Sequence, residues 1–224
     1  MSLSPTSRNF QSSGGEIHFL EYGTREMPPL VLLHGHTDCA WSWHHISSEL
    51  AGRYFVVAPD LRGHGDSGWF PPYSDQFLAG DLLNLMDHCG FESARVVAHS
   101  LGSHAASFAA GCFPHRVERL ALIEGLGPPR KAGDVNARQW RQQTAQFIDI
   151  ARTAPVQRSF PSMDAVLERF MKIYPSLDQE LASLIVEKSV HVTEQGVEWK
   201  WDPMSRDWIT TSDPDRFEEV WEGI

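Results

Sequence analysis

Ser100 is the residue from which a chemistry can be read. It stands at the joint of Val96-Val97-Ala98-His99-Ser100-Leu101-Gly102-Ser103, where a β-branched run passes directly into a helical stretch. A serine at a sharp strand-to-helix joint is a nucleophile elbow, here with Ala98 in the position usually taken by the first glycine. The joint is tight, so a bulky side chain at 98 or 102 would collide with the neighbouring strand or helix. The helix beginning behind Ser100 supplies N–H donors and a positive dipole end, which favour the negative charge that develops in acyl transfer. A hydroxyl is a weak nucleophile until a base takes its proton, and that base needs a carboxylate to orient it.

A second cluster lies upstream in Leu32-Leu33-His34-Gly35-His36-Thr37, at the end of an apolar run and ahead of Trp41 and Trp43. With Asp38 it forms His-x-His-x-Asp, the start of a metallo-hydrolase pattern that continues with another His where this chain has Cys39. A metal-dependent hydrolase using His34, His36 and Asp38 is therefore an alternative. It accounts for these residues alone, whereas the serine reading also accounts for the elbow and for the order of the motifs. His34 is expected to brace its turn, and His99 to pack beside Ser100 rather than act as its base.

These residues need a scaffold that brings strand ends together. PLVLLHG, YFVVAPD, RVVAHS and RLALIEG are short apolar runs that read as buried central strands, and Glu16 to Tyr22 alternates as a half-exposed edge strand would. Helical spacing occupies Ser42 to Ala51, Ser74 to Cys89 with Gly90 as its stop, and Leu101 to Cys112. Strands alternating with helices predict a mostly parallel sheet with helices on its faces. After Glu124 the pattern changes to a turn-rich linker and helices. Asp134 is a candidate cap for one with Ala137, Trp140, Thr144, Phe147, Ile148 and Ala151 along a face; Ser162 caps a second, ending before Pro175; Ser176 caps a third through Lys188. VEWKWDP reads as a short extended piece. The predicted organisation is a core over 1–124, a helical lid over 125–213 above the C-terminal edge of the sheet, and a return to the core over 214–224.

Composition narrows the partners. The chain has 224 residues, 42% hydrophobic and 21% charged, which suits a globular protein with a full core. A formal charge of −10, with scattered basic residues, disfavours nucleic acid. The N-terminus has no apolar leader and no run approaches a membrane span, so no membrane association is expected. Cys39, Cys89 and Cys112 form neither a disulfide framework nor a four-ligand zinc site, and reduced thiols fit a cytoplasmic location. The oligomeric state leaves no signal.

On the elbow, the His-Gly turn and Asp60-Leu61-Arg62-Gly63-His64-Gly65-Asp66-Ser67, the chain resembles the α/β-hydrolase superfamily. The resemblance implies an α/β fold with a lid, a small-molecule acyl substrate, and hydrolysis of an ester or related bond through an acyl-Ser100 without a cofactor. It implies an oxyanion hole made by the backbone N–H groups of His36 and Leu101. The Asp60 to Ser67 loop carries no catalytic role there. Glu124 stands where some relatives, the haloalkane dehalogenases among them, carry the triad acid, but Ser100 in place of a nucleophilic Asp argues against dehalogenase or epoxide-hydrolase chemistry. Trp41, Trp43, Trp140 and Phe147 are candidates for a partly apolar pocket. The family's base follows its last sheet strand. Beyond Ser100 the histidines are His104, His115 and His191, and only His191 follows Glu124, inside the expected lid. Two strands and that base are therefore expected to be missing, making the chain a C-terminally truncated hydrolase without activity of its own. A non-catalytic ligand-binding or scaffold protein on the same fold is the second reading.

Overall fold

A computed structural model describes residues 4–125, 155–207 and 219–224, with residues 141, 142, 145, 148, 149, 152 and 153 between them. Its main sheet has six strands: β1 (Thr6–Ser12), β2 (Gly15–Tyr22), β3 (Pro29–Leu33), β4 (Phe55–Pro59), β5 (Ala94–His99) and β6 (Val117–Ile123). Their order is β1-β2-β4-β3-β5-β6. The β3–β4, β3–β5 and β5–β6 pairs are parallel, while β1–β2 and β2–β4 are antiparallel. The apolar runs of β3 and β4 are buried because each has a neighbour on both sides and helices on both faces.

Two expectations about the edges change. β2 is interior, and β1 is the edge. The alternation in β2 that suggested exposure comes from His18 and Glu21, which are buried with partners: His18 bonds Asp60 at 2.7 Å, and Glu21 pairs with Arg8 and Arg25, both at 2.6 Å. Polar groups can be buried when they are paired. β6, expected to be central, pairs only with β5 among the described residues, and Ile123 is 48% exposed.

Helix α1 (His44–Leu50) follows a 3-10 turn at Ala40–Trp43, while α2 (Asp75–Cys89) and α3 (Leu101–Cys112) match the spacing that predicted them. α2 buries Leu78, Leu82, Leu85 and Met86, a stripe worth about 1.5–3 kcal/mol per side chain. It stops at Gly90, whose φ of 76° allows Phe91 N–H to reach the Met86 carbonyl at 2.8 Å. α2 and α3 contribute to the core on one face of the sheet, with Phe19, Leu33 and Phe55; a second cluster on Leu20, Leu32, Trp43 and Val56 fills the other.

The segment expected to be a helical lid is not purely helical. It contains α4 (Met163–Ile173), α5 (Gln179–Ser189) and a three-stranded antiparallel sheet in the order β7-β9-β8, from β7 (Ser159–Phe160), β8 (Val190–Thr193) and β9 (Gly196–Trp199). Ser162 caps α4, accepting from Ala165 N–H at 3.2 Å, as predicted. The cap of α5 is Asp178, two residues after the expected Ser176, because its carboxylate accepts from both Glu180 and Leu181 N–H. β9 falls on the extended piece expected at VEWKWDP, whereas β7 and β8 carry too little periodicity to be read in advance. Of the helix expected after Asp134, residues 141, 142, 145, 148 and 149 are described and are helical, with Ile148 50% exposed, whereas Trp140 and Phe147 lie outside the described residues. No helix among the described residues is long and apolar enough to cross a membrane.

Candidate active site

Parallel strands end together, so β3, β5 and β6 deliver three loops to one edge of the sheet. Ser100 occupies the joint between β5 and α3 with φ 48° and ψ −113°, a left-handed conformation for a residue with a side chain. Such backbone costs about 1–3 kcal/mol and persists only where its surroundings impose it. Here Ser100 N–H bonds the Ile123 carbonyl at 3.0 Å, Ser103 N–H bonds the Ser100 carbonyl at 2.9 Å, and Gly102 N–H bonds the His34 carbonyl at 3.1 Å. Gly102 is small for the predicted reason. A Cβ on Gly102 would stand 2.6 Å from Leu33 Cβ and 2.8 Å from the His34 oxygen. Leu101 opens α3, so its N–H precedes the intrahelical ladder and has no acceptor within the helix.

The β3 loop closes over this joint. A Cβ on Gly35 would lie 2.7 Å from His99 Nδ1 and 3.3 Å from Ser100 Cβ, so any larger residue would have to push the His99 ring aside. His34 braces the turn: Nδ1–H donates to the Gly35 carbonyl at 2.7 Å, and Nε2 accepts from Leu61 N–H at 2.9 Å. Thr37 has φ 66°, and Asp38 N–H returns to the Gly35 carbonyl at 3.3 Å. Burial, then Arg206 and His34, lower the His36 imidazole to about 4, so it is neutral.

Glu124 follows β6 with φ 58°, its side chain 81% exposed. Its Oε2 lies 3.8 Å from His99 Nε2. Sequence reasoning missed this contact, although the parallel pairing that places His99 opposite Ile123 makes Glu124 its diagonal neighbour. His99 is half-buried against Gly35 rather than packed away.

The remaining histidines are committed elsewhere. His104 is buried between α2 and α3, 3.4 Å from Asp75, and His191 stands on β8, 3.8 Å from Glu198. His115 stands edge-on to Phe113, and His88 stacks on Phe10. Among the described residues no hydrogen bond joins Ser100 Oγ to an imidazole.

The metal alternative is corrected by the same geometry. Both ring nitrogens of His34 are used by the backbone, His36 Nε2 bonds Ser205 Oγ at 3.1 Å, and Asp38 accepts from Cys39 N–H and Ser42. The group among the described residues close enough to share a cation is His18, Asp60 and Asp66, within 4.8 Å. Its members already bond one another, Ala40 N–H and Lys200. Of the expected pocket aromatics, Trp43 is buried in the second core cluster instead. Trp41 is half-buried, with Lys188 Nζ 5.2 Å from its ring centre.

Residues 28–183 match the family described as alpha/beta hydrolase fold. The chain belongs to that family. Among curated relatives of this chain, epoxide hydrolase 4 of Mus musculus is 32% identical over 117 residues, covering 50% of this chain and 32% of that protein. The soluble epoxide hydrolase of Corynebacterium sp. is 33% identical over 135 residues, covering 60% and 46%. The chain thus spans about a third to a half of the length of these relatives. The thioesterase domain from the curacin biosynthetic pathway superposes with a TM-score of 0.87 at 23% identity, over 99% of this chain and 80% of that one. An esterase of M. tuberculosis does so at 0.70 and 25%, over 100% and 72%.

Proposed function

We propose that this alpha/beta hydrolase cleaves an ester or related acyl bond through a covalent acyl-Ser100. The observation that carries the reading is the strained serine at the head of α3, with Gly35 of the β3 loop against its Cβ. In the acylation step Ser100 Oγ attacks the acyl carbon while its proton passes to a base. The carbonyl electrons move onto oxygen, and the tetrahedral intermediate collapses with loss of the protonated alcohol or thiol. Water then attacks the acyl-serine and releases the acid. The N–H groups of His36 and Leu101 stabilise the oxyanion, and Glu124 orients the base. The segment from α4 to β9 acts as the lid, and Trp41 lines the acyl pocket on its side.

The curated relatives are named for epoxide opening, but the nucleophile argues against that substrate. A carboxylate opening an epoxide leaves an ester that water can cleave, whereas a serine alkoxide would leave an ether that water does not. Ser100 therefore selects acyl substrates.

The test is fluorophosphonate labelling of the full-length protein beside its Ser100→Ala variant, with p-nitrophenyl ester turnover measured in parallel. Labelling that depends on Ser100, with turnover reduced on the order of 10⁴-fold or more in the variant, supports the reading. Absence of labelling in the wild-type protein would favour the ligand-binding alternative.

A further inference from the structure

The segment following β9 crosses back onto the core and holds the His36 side chain. Lys200 N–H bonds the Ser189 carbonyl at 2.7 Å and Lys200 Nζ pairs with Asp66 at 2.6 Å. Trp201 bridges His64, and Asp202 N–H bonds the Gly63 carbonyl at 2.7 Å. The Asp202 carboxylate accepts from Tyr73 and, at 2.9 Å, from Met204 N–H, while Ser205 N–H bonds the Asp202 carbonyl at 2.8 Å. This chain of bonds delivers the buried Ser205 hydroxyl to His36 Nε2 at 3.1 Å. The same ring stands edge-on between His64, 5.4 Å between centres, and Trp201, 5.6 Å.

The loop from His34 to Cys39 lies beyond the paired part of β3, so its peptides are not held by ladder bonds. Its shape depends on the Gly35–Asp38 turn and on what its side chains grip. His64, fully buried, keeps Nδ1–H on the Arg62 carbonyl at 3.0 Å and leaves its bare Nε2 without a hydrogen-bond partner among the described residues. It therefore offers His36 a packing wall, and Ser205 offers the polar tie.

We propose that Ser205 is a positioning residue for acyl transfer: by holding the His36 imidazole it holds the peptide whose N–H forms half of the oxyanion hole. The hole is then complete only while the Lys200–Ser205 segment is seated on the core, which couples the small sheet to the chemistry. This rests on the acyl-serine reading of Ser100.

The experiment compares wild type, Ser205→Ala, Ser205→Cys and Ser205→Thr by amide hydrogen exchange and by p-nitrophenyl acetate kinetics. Losing one buried hydrogen bond should speed exchange at His36 and Thr37 by about tenfold in Ser205→Ala, with Val31 and Leu32 of β3 unchanged. Its kcat should fall by about tenfold with KM within about twofold, as expected for a contact realised in the transition state. Ser205→Thr, which keeps the hydroxyl, should recover both, and the near-isosteric Ser205→Cys should fall between. Unchanged exchange at His36 and Thr37 in both Ser205→Ala and Ser205→Cys overturns the inference. The exchange result stands whatever the activity: loosened His36 and Thr37 amides in a protein whose Ser100 does not label would retain the tie and reject the acyl-serine reading.

Discussion

One methyl group at Gly102 would meet Leu33 Cβ and the His34 oxygen at well under van der Waals distance. Neither neighbour can retreat, since Leu33 is a core residue of β3 and the His34 carbonyl accepts from Gly102 itself. Gly102→Ala should cost about 1–3 kcal/mol, read as a lower urea midpoint, and should displace Ser100 as well. An unchanged midpoint would mean that the elbow is looser than these distances require. Glu124 differs, because its exposed side chain supports no packing. Glu124→Gln should leave stability unchanged and, if the carboxylate orients the base, lower kcat far more than it raises KM. Near-wild-type kcat in that variant would give the acid role to another carboxylate.

At the scale of elements, Arg62 joins the loop after β4 to α2 and to the β1–β2 hairpin. Its guanidinium is buried and meets Asp81 through two bonds of 2.6 and 2.7 Å, lies 4.8 Å from the Phe70 ring centre, and donates to the Pro72 carbonyl at 3.1 Å. Asp81 also accepts from Ser12 at 2.6 Å. Arg62→Met strands a buried carboxylate and should cost about 3–5 kcal/mol in urea unfolding, whereas Arg62→Met with Asp81→Leu should recover most of that loss. A double variant no better than the single one would locate the cost in packing rather than charge.

For the whole molecule, acid should weaken the fold through the histidines beneath the β3 loop. Burial is the largest cause of lowering for both His36 and His64. Arg206 and His34 add to it for His36, and His34 and His36 for His64, where the Arg62 carbonyl opposes it. The unfolded chain takes up these protons near the ordinary value of 6.5 and the folded chain does so only near 4 for His36, and still well below 6.5 for His64. Their contribution is thus complete above about pH 6.5 and declines as pH falls toward about 4, so the urea midpoint should drop across that interval. His64→Gln should flatten part of the decline. Among the described residues β6 has no neighbour beyond β5, so these 224 residues should self-associate through that strand's backbone groups, and Ile123→Lys should reduce it in sedimentation without lowering the thermal midpoint. Equal association in both proteins would remove β6 as the contact.

The elbow, the His-Gly turn and the central strands were legible because their causes are local: the size of residue a tight joint admits, the polarity of a doubly covered strand, a glycine that ends a helix. Burial of His18, Glu21 and Arg62 was not legible, since each is tolerated only for a partner distant in sequence: Asp60, Arg8 and Asp81. Of the small sheet only β9, at VEWKWDP, was legible, because two- to four-residue strands such as β7 and β8 have almost no period. Trp43 could be assigned to core rather than pocket only once α1 and the sheet were packed together. Ser205 meets His36 across 169 positions, a contact that depends on how one chain segment lies on another. The sequence by itself determined which residues could do chemistry and which elements would carry them. Only the tertiary structure decided their partners, because pairing and burial depend on distances in space that local residue patterns do not encode.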